Sequence, residues 1–275
     1  MHIPRVRLNL IELVLLGALV AVLAYVAGRH RTEVRLMPYL SRSASELQVL
    51  ADRYGPARNS EYGEEWIVRD YFNDMRGGVF VDVGANDHQR NSNTYFLERE
   101  LGWSGLAIEP QEQFAEAYAR YRPRTTFVPL FVSDVSNNRA VLYVPGNNNL
   151  IASSTREFVE GKGGDDIVPH ETNTTTLDDI LRRSGIERFD FLSMDIELHE
   201  PAALRGFSIE TFAPRLVGIE AHPQVRQEIL DYFAAHDYVV IGKYLRADTE
   251  NLWFEPSGLR AGQSRTGNLK VVSVP

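Results

Sequence analysis

Along most of the chain, short apolar runs alternate with segments whose apolar positions recur at helical spacing. Residues 79–83, 106–108, 126–132, 189–194, 216–219 and 238–241 are apolar runs that predict strands. Amphipathic segments 94–101, 111–121, 177–183, 200–206 and 225–235 predict the helices between them. Strands that alternate with helices form a mainly parallel sheet covered on both faces, a doubly wound α/β fold. Residues 140–144 predict an added hairpin strand and residues 252–254 a last strand. Upstream, Trp66, Ile67, Tyr71 and Phe72 predict a helix over residues 61–75 that Gly77-Gly78 stops, and residues 46–54 predict a shorter one ended by Gly55-Pro56. The Gly- and Asn-rich stretch 145–164 is expected as a long loop. Phe96, Trp103, Phe114, Tyr118, Phe207 and Phe212 fall on helices or beside strands and are expected in the core.

Residues 8–27 have a different pattern, almost wholly apolar apart from Asn9 and Glu12. About 20 residues rising about 1.5 Å each cross a bilayer core, so a single transmembrane helix is expected. This divides the chain into an anchor (1–28), a stalk (29–60), a catalytic domain (61–257) and a tail (258–275). A cleaved signal peptide is the alternative, with Arg5 and Arg7 as its basic end and Val22-Leu23-Ala24 as its cleavage site, although the apolar run is long for one. Arg29, Arg31, Arg35 and Arg42 outnumber Arg5 and Arg7, which places the catalytic domain on the cytoplasmic side. Tyr39 and Tyr54 would then lie near the membrane interface.

The 275 residues, 44% of them hydrophobic, suffice for one α/β domain with appendages and not for two catalytic domains. A net charge of -8 argues against nucleic acid as a partner, because backbone binding needs clustered Lys and Arg. The absence of cysteine excludes disulfides, thiolate metal sites and Cys nucleophiles.

In a doubly wound sheet, ligands bind outside the carboxyl ends of the strands. The first strand ends in Asp82-Val83-Gly84-Ala85-Asn86-Asp87, where Gly84 permits a tight turn and Ser92 can cap the next helix. The second ends in Glu109-Pro110, and a carboxylate at that place can accept both hydroxyls of a ribose. A dinucleotide fingerprint needs further glycines so that amides reach a pyrophosphate, and here Asn86 and residues 88–90 occupy that region. Asp82 and Asp87 oppose phosphate and suit a cationic ligand, which disfavours a nicotinamide-dependent oxidoreductase.

Residues 79–86, Ser92-Asn93-Thr94, Trp103-Ser104-Gly105 with Ile108-Glu109-Pro110, and residues 190–197 together resemble the FkbM family of class I methyltransferases. The resemblance covers about residues 61–256. It implies a Rossmann-like seven-stranded sheet with an antiparallel last strand, S-adenosyl-L-methionine as cofactor, and O-methylation of a hydroxyl acceptor, often a sugar or polyketide. Carried over, Asp82, Gly84 and Asn86 would line the methionine part, Glu109 the ribose, Ser133 and Asp134 the adenine edge, and Asp195 the methyl group. Two positions depart from the family pattern: Asp87-His88 stand where a glycine commonly follows the Asn, and Leu198 where one follows Asp-x-Glu.

Asp195, Glu197, His199 and Glu200 follow one strand, and Glu220 and His222 follow the next, so neighbouring strand ends bring these groups together. His199 or His222 could act as the base that takes the acceptor proton. Alternatively Asp195, Glu197, Glu220 and a His could hold Mg2+ or Mn2+. His170 and Asn147-Asn148-Asn149 could reach over the acceptor. The expected enzyme is an O-methyltransferase on a membrane, acting on a glycan, glycolipid or other membrane-associated molecule. The rival expectation is a degenerate methyltransferase fold that serves as a membrane-bound interaction module.

Overall fold

The computed structural model describes residues 44–55 and 59–258. By internal contact the chain divides into Met1–Arg42 and Ser43–Pro275, and every described residue belongs to the second unit. Residues 8–27 lie outside the described residues, as does Tyr39; among the described residues no helix is long and apolar enough to cross a membrane.

Helices α1 (Ala44–Tyr54) and α2 (Glu64–Phe72) precede strand β1 (Val79–Val83). Then follow α3 (Tyr95–Leu101), β2 (Ser104–Ile108), α4 (Ala115–Tyr121) and β3 (Thr125–Val128). After β4 (Phe131–Val132), β5 (Arg139–Val144), α5 (Arg156–Gly161) and β6 (Val168–Thr175), the alternation resumes with α6 (Leu177–Arg183) and β7 (Phe191–Met194). The chain continues through α7 (Glu200–Arg205), α8 (Ile209–Phe212), β8 (Leu216–Glu220), α9 (Arg226–Ala235), β9 (Tyr238–Val240) and β10 (Asn251–Pro256).

The main sheet has the order β3-β2-β1-β7-β8-β10-β9. Its pairs are parallel except those of β10, which runs antiparallel to both β8 and β9, as expected of the last strand. Strand β1 is buried along its whole length, so successive side chains feed opposite faces. Val79, Val81 and Val83 join Leu181, Leu204 and Phe233 on one face, packed by α6, α7 and α9. Phe80 joins Leu50, Trp66, Leu97 and Trp103 on the other, packed by α1, α2 and α3. The core aromatics are buried as expected, Phe96 being half-buried at its edge.

Three expectations change. Residues 126–132 do not form one strand: the run breaks at Pro129, where a missing N–H ends the ladder, so β3 stays in the main sheet and β4 joins a second sheet. That sheet, β4-β6-β5, includes a strand over residues 168–175, and the stretch 145–164 contains α5 instead of being loop throughout. Helix α1 packs into the core of the domain through Leu50, where a stalk is expected, and Tyr54 donates its hydroxyl to Asp70 Oδ1 (3.1 Å).

Candidate functional site

The order of the main sheet reverses at β1: β2 lies on one side and β7 on the other. At such a switch point the loops leave in opposite directions and open a crevice at the carboxyl ends. Here a cavity of about 330 Å³ opens, walled by the residues that follow β1, β2, β7 and β8.

Gly84 brings the β1 and β7 walls together. Its φ is +83°, and a Cβ there would stand 1.8 Å from the carbonyl oxygen of Asp195, so only glycine lets the β1 turn rest on the β7 turn. Asp195 N in turn donates to Val83 O (3.0 Å). Asn86, in the left-handed region at φ 45°, donates its amide to Glu109 Oε2 (3.3 Å), and Gln111 donates its amide to Glu109 Oε1 (3.0 Å). These bonds fix a buried carboxylate against the cavity, and burial raises its pKa above the usual value.

A cover comes from the segment between β5 and β6. The carbonyl of Asn149 accepts from Asn86 Nδ2 (3.4 Å) and Gln111 Nε2 (3.3 Å), and Asn148, Leu150, Ile151 and Ala152 line the cavity beneath it. Ser153 anchors the segment by donating its hydroxyl to Glu197 O (2.6 Å). Of the residues expected to reach over an acceptor, Asn148 and Asn149 line the cavity, whereas Asn147 is exposed and donates to Gly163 O (2.9 Å), and His170 is exposed on β6 opposite Leu142.

Asp195, Glu197 and Glu220 converge at the floor of the site. Asp195 presents its surface to the cavity, enclosed by protein; burial and the nearby Glu220, Glu197 and Glu200 push its carboxyl well above the usual range. Burial, then Glu197 and Glu200, push Glu220 up to about 9. Glu200, fully buried, accepts the amide of Ile196 (3.0 Å) and is pushed up to about 7, chiefly by burial. His222 Nε2 sits 2.9 Å from Glu220 Oε1 and 3.3 Å from Glu197 Oε2.

Five expected site residues do not line the cavity, His222 among them, held beside Glu197 and Glu220. Asp82 is buried on the α3 side of β1, where its Oδ2 accepts the Thr94 hydroxyl (2.8 Å) and the carboxyl is pushed up to about 6 by burial. The break at Pro129 carries Ser133 and Asp134 to the end of β4 in the second sheet, and Leu130, Phe131 and Val132 line the cavity in their place. His199 is held at both ring nitrogens, by Ser154 Oγ and Ser133 Oγ (3.1 Å each), with its ring against Phe131; burial lowers its pKa. It braces the cover segment and does not line the cavity.

Sequence reasoning missed other walls. Glu61, Tyr62 and Glu64 arrive from the start of α2, Asn91 and Asn93 from the loop after β1, and Lys162 from the end of α5. An open groove lined by Asn59, Ser60, Asp87 and Arg90 adjoins the cavity and shares Glu61 and Asn91 with it. Both departures from the family pattern are accommodated. The His88 ring stacks on Tyr121 (5.1 Å) while its carbonyl accepts from Arg122 Nη1 (2.8 Å), away from the cavity. Leu198 adopts φ 77°, the conformation a glycine would take there at less strain.

The strand order, the antiparallel β10 and a carboxylate-lined crevice at the switch point define a Rossmann-like fold of the methyltransferase type. A family model described as the methyltransferase FkbM domain matches residues 82–240, and the chain belongs to that family. No curated protein matches the chain.

Proposed function

We propose that the protein is an S-adenosyl-L-methionine-dependent O-methyltransferase. The observation that carries this reading is the buried Glu109 carboxylate, fixed beside Asn86 in the wall of a cavity that Asp195 also lines. The donor set fits the cofactor: Glu109 would accept the ribose hydroxyls, Asn86 and the backbone at Gly84 would hold the methionine part, and Leu130 and Phe131 would offer apolar surface to the base. Among the described residues only Lys162 brings a basic group to the lining, which favours a cationic sulfonium over a pyrophosphate. When bound, the cofactor supplies an electrophilic methyl group.

The chain's own residues position the acceptor and take its proton. Asp195 faces the cavity, and the raised pKa of its carboxyl makes its ionised form a stronger base than an ordinary aspartate. Asp195 would take the proton of an acceptor hydroxyl held in the cavity. Tyr62, Asn91, Asn93 and Asn148 give the acceptor side neutral hydrogen-bonding groups, suited to a polyhydroxylated molecule such as a glycan or glycolipid. An anchor over residues 8–27, with the domain on the cytoplasmic side, would place that acceptor at the membrane. The same carboxylates have the composition of a divalent-cation site, and their spacing determines which atoms would hold the ion.

The test is transfer of a labelled methyl group from S-adenosyl-L-methionine to membrane glycolipid fractions, with calorimetric titration of the cofactor. Glu109→Gln should weaken cofactor binding roughly tenfold, as expected for loss of a charge-assisted hydrogen bond. Asp195→Asn should retain binding and lose about 10²-fold or more in rate. Cofactor affinity unchanged by Glu109→Gln would remove the reading.

A further inference from the structure

We infer that Glu197, Glu220 and His222 form a divalent-cation site at the wall of the cavity, of the kind that takes Mg2+ or Mn2+. The inference rests on the methyltransferase reading only for the ion's use, not for its binding.

The spacing of the donors comes first. An octahedral ion with bonds of about 2.1 Å holds adjacent ligand atoms about 3.0 Å apart. His222 Nε2 lies 2.9 Å from Glu220 Oε1 and 3.3 Å from Glu197 Oε2, and one donor atom from each of the three falls within 4.8 Å of the others. The imidazole thus meets two carboxylates through one nitrogen, which can serve both only if it carries a proton or shares an ion with them. Phe158 packs 5.1 Å from the His222 ring and limits where it can turn.

Unpartnered atoms give the second, independent sign. Glu200 is fully buried, its Oε2 has no hydrogen-bond partner, and the residue belongs to a second triad with Asp195 and Glu220. Glu220 Oε2 is likewise buried, and the Asp195 carboxyl lies within hydrogen-bond reach of the Glu220 carboxyl, a pair that must share a proton or an ion. A buried carboxylate oxygen left without a partner is costly, and a cation between the triads would satisfy both. The charge balance points the same way: Glu61, Glu64, Glu109, Asp195, Glu197 and Glu220 line the cavity against Lys162 alone among the described residues. Mixed carboxylate and imidazole oxygen and nitrogen donors suit Mn2+ and Mg2+ better than soft metals. Positions left open on the cavity side would accept the acceptor hydroxyl and make its proton easier to remove.

The test is a titration of the full-length chain with Mn2+, without cofactor, following loss of the free-ion electron paramagnetic resonance signal. One ion should bind per chain below about 1 mM, Mg2+ should displace it, and nitrogen coupling from one imidazole should appear in the pulsed spectrum. Glu197→Gln and His222→Asn should each weaken binding about tenfold or more, and His222→Asn should abolish the nitrogen coupling. Glu171→Gln, on an exposed carboxylate outside the site, should change neither. Absence of a bound ion, or binding without nitrogen coupling in the unaltered protein, would overturn the inference even if both variants misfold. Calorimetry with S-adenosyl-L-methionine on the same sample separates the two readings, because ion binding without cofactor binding would leave the site standing and remove the methyltransferase.

Discussion

Asp82 shows what burial does to a residue that the strand-end pattern marks as a ligand. It lies on the same side of β1 as Phe80, facing α3, and its carboxyl is pushed up to about 6 by burial while Thr94 and Arg122 oppose the shift. In the unfolded chain an aspartate ionises near 3.8, so the folded state holds this proton over a range where the unfolded state has lost it. The contribution to stability is therefore full below about pH 4 and is lost as pH rises to about 6, to a limit of about 3 kcal/mol. Asp82→Asn keeps an oxygen for the Thr94 hydroxyl and removes the titration. Urea melts between pH 4 and 7 should show the variant losing less stability than the parent across that window; parallel curves would mean that Asp82 is ionised throughout.

Secondary elements explain which parts of the site could be read in advance. Glu109, Asp195 and Glu220 end strands whose interiors are buried, so an apolar run followed by a carboxylate marks them directly. Of the cover, Asn148 and Asn149 stand out in the Asn-rich loop, but β6 was not legible, because it is mostly exposed and polar and exists through pairing with β5, without an apolar period of its own. Helix α8 has only four residues, too short for any periodicity. Glu61, Asn91 and Lys162 reach the cavity by tertiary packing that no local pattern encodes, whereas Pro129 was a visible signal of the strand break that displaces Ser133. The cover's attachment can be tested at Ser153, fully buried, which donates to Glu197 O and accepts from Thr155 N (3.0 Å). Ser153→Ala leaves that carbonyl and amide without their partner, so amide exchange over residues 147–155 should quicken roughly tenfold while β1 and β7 stay protected. Exchange that quickens equally in the strands would instead mean that Ser153 supports the whole domain.

At the scale of the whole molecule, the compact unit begins at Ser43, well before the expected start of the catalytic domain at residue 61. The reason is the sheet face that α2 alone does not cover. Leu50 of α1 is buried in the same cluster as Trp66, Ile67 and Phe72, and Arg53 and Tyr54 both reach Asp70 on α2 (3.0 and 3.1 Å). Asp70 also accepts from Lys243 Nζ and Tyr244 Oη (3.0 Å each), so α1 is joined through one carboxylate to the segment before β10. Removing residues 1–42 should therefore leave stability and cofactor affinity unchanged, whereas removing residues 1–60 uncovers Trp66 and strips Asp70 of two partners. Burial of one leucine is worth about 2 kcal/mol and each hydrogen bond about 1 kcal/mol, so the longer deletion should lower Tm by roughly 10 °C. The shorter deletion also tests the anchor: the full chain should sediment with membranes and the form starting at Ser43 should not. Equal Tm for the two truncated forms would show that α1 adds nothing to the domain, and sedimentation of the shorter deletion would place membrane attachment on the catalytic unit itself.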